Sequence, residues 1–364
     1  MKNPFSTTGG IIAAGVVIGL GAAILQKLGN PGNMGICVAC FGRDVVGAVG
    51  LHRADTVQYA RPEIFALVIG AFVAAISSGE FKPRSGASPV ARFFLGAAVA
   101  VGALIFLGCP WRALLRLAGG DLNAIAGILG LVVGVVIASR FNKNKFTLGA
   151  AKPSNAILGL GFVLFMVALL IIRLAYPPIA GEAKNDLLFY SISGPGSLHA
   201  PLWASLLIAL VIGFVGQRSR FCSIGAFQDV LLFKSWHLFL GVVAFVVAAF
   251  AANLAFGQFH LGIDGQPIAH KLQLWNFMGL VVVGLGSALG GGCPGRQLFL
   301  AGEGDGDAAV FVLGLLAGLA MAHNWQLASS PAGLGAHGAT AGILSVVVIL
   351  VIGLAGLKKS PAVA

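Results

Sequence analysis

Apolar runs of about 18 to 22 residues recur along the whole chain, separated by short polar stretches. An α-helix needs about that length to cross roughly 30 Å of hydrocarbon. The runs fall near 10–28, 63–80, 90–108, 122–140, 155–176, 201–217, 236–256, 274–292, 308–324 and 338–356. They are too long and too continuous for the roughly ten-residue alternation of a transmembrane barrel, so strand structure is not expected. The pattern predicts an all-α integral membrane protein, with residues 1–364 forming a single transmembrane domain of nine to ten spans. The first run follows MKNPFSTTGG, and no small-residue cleavage site leads into a soluble domain, so a retained first helix is expected.

Composition agrees with that pattern. The chain is 58% hydrophobic and only 10% charged, against about a quarter charged in soluble domains. Mean hydropathy is +0.94. The 53 glycines suit close helix packing in lipid and broken helices. The formal charge of +11 is spread over short loops rather than one face or a tail, which argues for membrane orientation and against nucleic-acid binding. With the N-terminus in the cytoplasm, that side receives Lys2, Lys82, Arg84, Arg92, Arg140, Lys143, Lys145, Lys152, Arg218, Arg220, Lys234, Lys358 and Lys359. Both termini are then cytoplasmic. The loop 177–200, with Glu182, Lys184 and Asp186, has no positive excess and reads as external.

An internal repeat organises the chain. CVACFGRD begins at Cys37 and CSIGAFQD at Cys222, with Asp44 and Asp229 seven residues on. Cys109-Pro110-Trp111-Arg112 matches Cys293-Pro294-Gly295-Arg296, and Gly120-Asp121 matches Gly304-Asp305. Gly130 and Gly134 align with Gly314 and Gly318. The halves run over about 10–176 and 201–356. Five spans separate equivalent points, an odd number, so equivalent helices run in opposite directions: an inverted-topology repeat, whose substrate site is expected near the midplane between the halves.

The chemistry-bearing residues lie in the repeated blocks. All five cysteines do: Cys37, Cys40, Cys109, Cys222 and Cys293. In each Cys-Pro-x-Arg block, proline halts the preceding helix and suits the first turn of a new one. The free N–H groups at such a start favour an anion, and Arg112 and Arg296 add charge inside the membrane. LQKLGNPGNMGIC (25–37) and VGQRSRFC (215–222) read as similar breaks, each with a half-helix beginning at the cysteine. Gln26 and Asn33 in the first, and Gln217 in the second, are further anion-binding candidates. Cys40, Asp44 and Asp229 are accessory candidates, the two carboxylates read chiefly as partners of nearby arginines. Cys37 and Cys40 form a CxxC, but a second ligand pair for zinc is missing. The seven histidines show no ligand spacing and read as interfacial. No metal, cofactor or catalytic residue is expected, and no phosphate-binding Gly-x-x-x-x-Gly-Lys pattern is present. Thiols, half-helix starts and arginines together suit a small anion with a soft, polarisable atom.

GNPGNMGICVACFGRD, LHRADTVQYARPE, FLGCPWR with LRLAGGDLNAI, and GGCPGRQL resemble the YeeE/YedE family of bacterial membrane proteins, nearest the branch linked to selenium metabolism. The resemblance implies an hourglass-like helical body in the bacterial inner membrane, with broken helices meeting at its centre. It also implies Cys37, Cys109 and Cys293 as path residues, with Cys222 following by the repeat. The leading expectation is therefore a transporter of a small selenium- or sulfur-containing anion, with thiosulfate uptake as the alternative. The resemblance adds a small cytosolic sulfur-carrier protein as partner. Two other classes stay open: a membrane thiol enzyme that transfers or reduces selenium or sulfur species through the CxxC pair, and a structural scaffold.

Overall fold

The structure is a computed structural model that describes residues 3–357. The loop charges Lys2, Lys358 and Lys359 lie outside the described residues. Fourteen α-helices follow one another in two runs of seven among the described residues. The first run is α1 (Thr8–Lys27), α2 (Val38–Ala48), α3 (Pro62–Ser77), α4 (Pro89–Phe106), α5 (Pro110–Ala118), α6 (Asn123–Lys143) and α7 (Ala156–Ala175). The second is α8 (Leu202–Ser219), α9 (Ser223–Phe233), α10 (His237–Ala255), α11 (Gln273–Gly290), α12 (Pro294–Gly302), α13 (Gly306–Asn324) and α14 (Gly338–Ala355). Short helices occupy the same places in each run, with α2 and α9 at 11 residues and α5 and α12 at 9.

Among the described residues ten segments are long and apolar enough to cross a membrane, and each expected span finds its helix to within a turn. The molecule is an all-α integral membrane protein. Two two-residue ladders in the loops depart from the expectation of no strands: Arg84–Ser85 with Lys152–Pro153, and Lys184–Asn185 with Leu188–Phe189.

The two runs pack reciprocally. Helix α6 lies on α11 and α4 on α13, while α3 lies on α8 and α1 on α10. The short helices follow the same exchange, α5 against α10 and α12 against α3, α2 against α13 and α9 against α6. Small residues permit the approach. A Cβ at Gly130 would overlap the carbonyl of Phe277 on α11, and one at Gly134 that of Val281. Their repeat partners do the same on the other side, Gly314 against the Phe93 carbonyl and Gly318 against that of Ala97. In lipid no hydrophobic gain separates helix–helix from helix–tail contact, so backbone approach of this kind carries the association.

Candidate functional site

Each short helix begins at a cysteine. Cys37, Cys109, Cys222 and Cys293 are the N-cap residues of α2, α5, α9 and α12. Three of these thiols cap their helices directly: Cys37 Sγ accepts from Cys40 N at 3.3 Å, Cys222 Sγ from Gly225 N at 3.2 Å, and Cys293 Sγ from Arg296 N at 3.4 Å. Ser, Thr, Asn or Asp is the usual residue here. A thiol is a weak partner for the amide, which leaves the N-terminal dipole of the half-helix less quenched than an oxygen would.

The thiols meet in two pairs, one per run. Cys37 and Cys109 bring their sulfurs to 3.6 Å, well beyond the roughly 2.05 Å of a disulfide, and all five cysteines are free. In the second run Cys222 Sγ accepts from the amide of Cys293 at 3.5 Å. All four are buried. Cys40 turns elsewhere, its thiol against the Leu107 carbonyl at 3.7 Å and the Arg112 guanidinium at 3.8 Å.

Trp111 joins the two runs. It holds the second position of α5, and its repeat partner on α12 is Gly295. The indole edge fills the space beside that glycine: a Cβ on Gly295 would lie 2.6 Å from Trp111 Cζ2 and 2.8 Å from Cε2. Phe221, Phe245 and Phe299 surround the ring, with centroids 6.1, 6.5 and 5.9 Å away. Trp111 is 1% exposed, yet among the described residues its Nε1 has no hydrogen-bond partner, and neither has the buried hydroxyl of Ser223 beside Cys222. Buried donors without partners are uncommon in folded proteins. Trp111 is not among the candidates expected from the sequence; its signal there is the mismatch of tryptophan against glycine at one repeat position.

The two arginines of the repeated blocks differ in what they do. Helix α4 ends with Leu107 in the left-handed region (φ 64°), leaving the carbonyls of its last turn without helical partners. Three side chains satisfy them. His270 Nε2 donates to Ile105 O at 2.8 Å, Arg116 to Phe106 O at 2.9 Å, and Arg112 to Leu107 O. Arg112 also donates to the carbonyls of Asn33, Pro267 and Ile268. It is fully buried and has no carboxylate within 4 Å among the described residues. Its donors meet these four carbonyls and the Cys40 thiol. At the second break the exposed carbonyl of Gly290 is taken by Gln297 at 3.0 Å and Arg92 at 3.2 Å. Arg296 is thereby released. Its Nη1 pairs with Glu303 at 3.3 Å and it lines a cleft with Glu80, Lys82, Arg84 and Arg220.

The remaining candidates divide in the same way. Gln26 Oε1 accepts from Asn33 N at 2.9 Å, and Asn33, at φ 53°, packs its amide over Gly119. Both build the loop between α1 and α2. Gln217 donates to Glu80 at 2.8 Å and keeps a buried, unpartnered Oε1. Asp44 pairs with Arg43 and Arg61, each at 2.8 Å, while Arg61 also holds the carbonyls of Pro195 and Leu198. Asp229 has no cation within 4 Å among the described residues, so the expected arginine pairing holds for Asp44 alone. The reading of all histidines as interfacial also needs correcting. His52 and His270 are each 1% exposed. Each accepts an amide at Nδ1, from Ala54 and Leu272, and donates from Nε2 to Arg43 O or Ile105 O. Burial lowers the pKa of both below the usual histidine value, which keeps them neutral in these positions. Two buried ionic features were not anticipated: the Arg116–Asp121 pair at 2.6 Å, and Glu63, which accepts from Asn30 and Ser205, each at 2.8 Å. Among the described residues no group of His, Cys, Asp or Glu is arranged to hold a metal ion.

Residues 218–358, from the end of α8 through α14, match the family described as sulphur transport. The thiosulfate transporter TsuA of Spirochaeta thermophila is 33% identical over 138 residues, which is 35% of this chain and 39% of that protein. The Escherichia coli K12 thiosulfate transporter TsuA is 30% identical over 111 residues, 29% of this chain and 30% of that protein. The aligned part is thus under two fifths of the length of these relatives. The matched range contains Cys222, Cys293 and Arg296. Neither the family description nor the relatives' names mention selenium.

Proposed function

We propose that this chain, which carries the sulphur-transport pattern over its second half, moves a small sulfur oxyanion of the thiosulfate class across the bacterial cytoplasmic membrane. The observation that carries the reading is the set of four half-helix starts, each with a cysteine at its N-cap position and grouped into two thiol pairs, in a fold with ten helical segments long and apolar enough to span a membrane. In this reading the two runs of seven helices are the inverted halves of one transporter. The terminal sulfur of the anion passes from one thiol pair to the other, accepting weak S–H hydrogen bonds. A thiol approaches a soft atom without the desolvation that a full charge would demand. The oxygens are met by the half-helix N-termini and by the free donors of Trp111 and Ser223. Arg112 contributes by fixing the broken end of α4 rather than by touching the anion. No bond to the cysteines forms or breaks. The four thiols are buried here, so this is an occluded state, and passage requires the half-helices to part. A small cytosolic sulfur-carrier protein would receive the anion on the side bearing Lys82 and Arg220.

The selenium reading gives way to the sulfur one because the family description and both relatives point to sulfur. The thiol-enzyme reading is disfavoured by Cys40, whose thiol lies against Leu107 and Arg112 rather than beside a shared substrate position. Purified protein in proteoliposomes, offered radiolabelled thiosulfate, sulfate and selenite, tests the proposal. Thiosulfate is expected to enter, and excess cold thiosulfate to compete better than sulfate or selenite. Entry of selenite in preference to thiosulfate, or of neither, would refute it.

A further inference from the structure

The cleft beside Arg296 lies between the two halves, lined by the α3–α4 loop of the first and by residues of α8–α9 and α12 of the second. It has a volume of about 340 Å³, and its charged lining is Glu80, Lys82, Arg84, Arg220, Arg296 and Glu303. Four cations against two carboxylates leave a net charge of +2 on that lining. The carboxylates are already engaged. Glu303 faces Arg296 at 3.3 Å and Arg84 at 3.8 Å, and Glu80 faces Arg218 at 3.1 Å. Arg84 has a closer partner in Asp305 at 2.8 Å. Lys82 and Arg220 have no carboxylate within 4 Å among the described residues. Gln217, with its buried and unpartnered Oε1, bonds Glu80 at the same place.

Arg296 connects this cleft to the thiols. Its backbone amide donates to Cys293 Sγ at 3.4 Å. Its Cγ lies 2.9 Å from where a Cβ of Gly292 would stand, and Cys222 Sγ lies 3.7 Å from the same point. Its guanidinium meanwhile reaches Glu303 in the cleft. Arg220 sits two residues before Cys222 in a left-handed conformation (φ 56°) at the C-cap of α8, a conformation that L residues rarely adopt. Both ends of the second thiol pair are thus joined in sequence to a cation of the cleft. The equivalent of Arg296 in the first half, Arg112, is sealed among carbonyls, so this arrangement gives the two ends of the molecule different chemistry.

We infer that this cleft is a holding site for a divalent tetrahedral oxyanion, next to the second thiol pair, in which Arg296 exchanges Glu303 for the anion. The class of ligand follows from the net charge of the lining and from its two unpaired cations. That the anion held here is the transported one rests on the function proposed above.

Calorimetric titration of the purified full chain at low ionic strength, with sodium thiosulfate and with sodium sulfate, tests the inference. The chain should bind both dianions and bind chloride weakly. The double variant Lys82→Gln/Arg220→Gln should weaken dianion binding at least about tenfold, as loss of charge-assisted bonds implies, with its melting temperature little changed. Glu303→Gln should tighten binding, because it frees Arg296; a residue with only a structural role would not. Unchanged affinity in the double variant, or no tightening in Glu303→Gln, would overturn the holding site. A lipid phosphate is the other source of this chemistry. Sulfate affinity that falls in phosphatidylglycerol nanodiscs relative to phosphatidylcholine nanodiscs would replace the free anion with a headgroup. The two proposals fail separately. Cys293→Ala should block thiosulfate flux yet keep dianion binding in the cleft. Binding without any thiosulfate flux in the parent protein would sink the transport reading and leave the site standing.

Discussion

Trp111 is the residue where the two halves of the molecule stop being copies. One repeat position holds an indole and its partner holds a hydrogen atom, and the first fills the space of the second. A large side chain at Gly295 would have to displace that ring. Burial of the ring and its three phenylalanine neighbours explains the packing, but not the free Nε1. A phenylalanine would pack there without an N–H. Trp111→Phe is therefore expected to keep a melting temperature close to the parent's in detergent and to lower thiosulfate flux by about tenfold, the usual worth of a hydrogen bond to a charged group. Flux equal to the parent's would mean that the indole is only packing.

The broken helices show why one arginine of a repeated motif is structural and the other faces a cleft. At the first break His270, Arg116 and Arg112 serve three successive carbonyls, and Arg116 is itself held by the buried Asp121. At the second, Gln297 and Arg92 take over that task. Arg112→Gln should then lower thermal stability by more than Arg296→Gln does, with a loss of about 1.5–3 kcal/mol expected when the hydrogen bonds of a buried charged donor to carbonyls are removed. Dianion binding should show the opposite order. Thermal shift and calorimetry on both variants check this, and equal effects on stability would count against the division of labour. The sequence placed all four breaks, because proline and glycine punctuate apolar runs in a way few other residues do. It could not say where each guanidinium goes, since that depends on which carbonyls the neighbouring loops leave unpaired.

At the level of the whole molecule, the ten spans and the repeat were legible in the chain. Both are written in periodic features: apolar length for the spans, and recurring Cys, Pro, Asp and Gly spacing for the repeat. The aligned glycines Gly130 with Gly314 and Gly134 with Gly318 do the same work on opposite sides of the body. The buried histidines and Glu63 were misjudged or missed because they lie in connecting stretches or at a predicted span end, where sequence alone does not separate interface from interior. Gln26 and Asn33 were polar for the sake of a loop. The thiol pairing could not be read either, since Cys37 meets Cys109, 72 residues away, only through the packing of α2 and α5.

In the function proposed above, both thiol pairs line one path for a sulfur oxyanion. The most direct test is flux of radiolabelled thiosulfate into proteoliposomes, measured for the parent protein and for Cys37→Ala, Cys109→Ala, Cys222→Ala and Cys293→Ala singly, alongside Cys40→Ser. Each of the four alanine variants should fold and lose most of the flux, while Cys40→Ser should keep most of it. Flux that survives the loss of either member of one pair, or that vanishes with Cys40→Ser alone, would contradict a path running through both pairs.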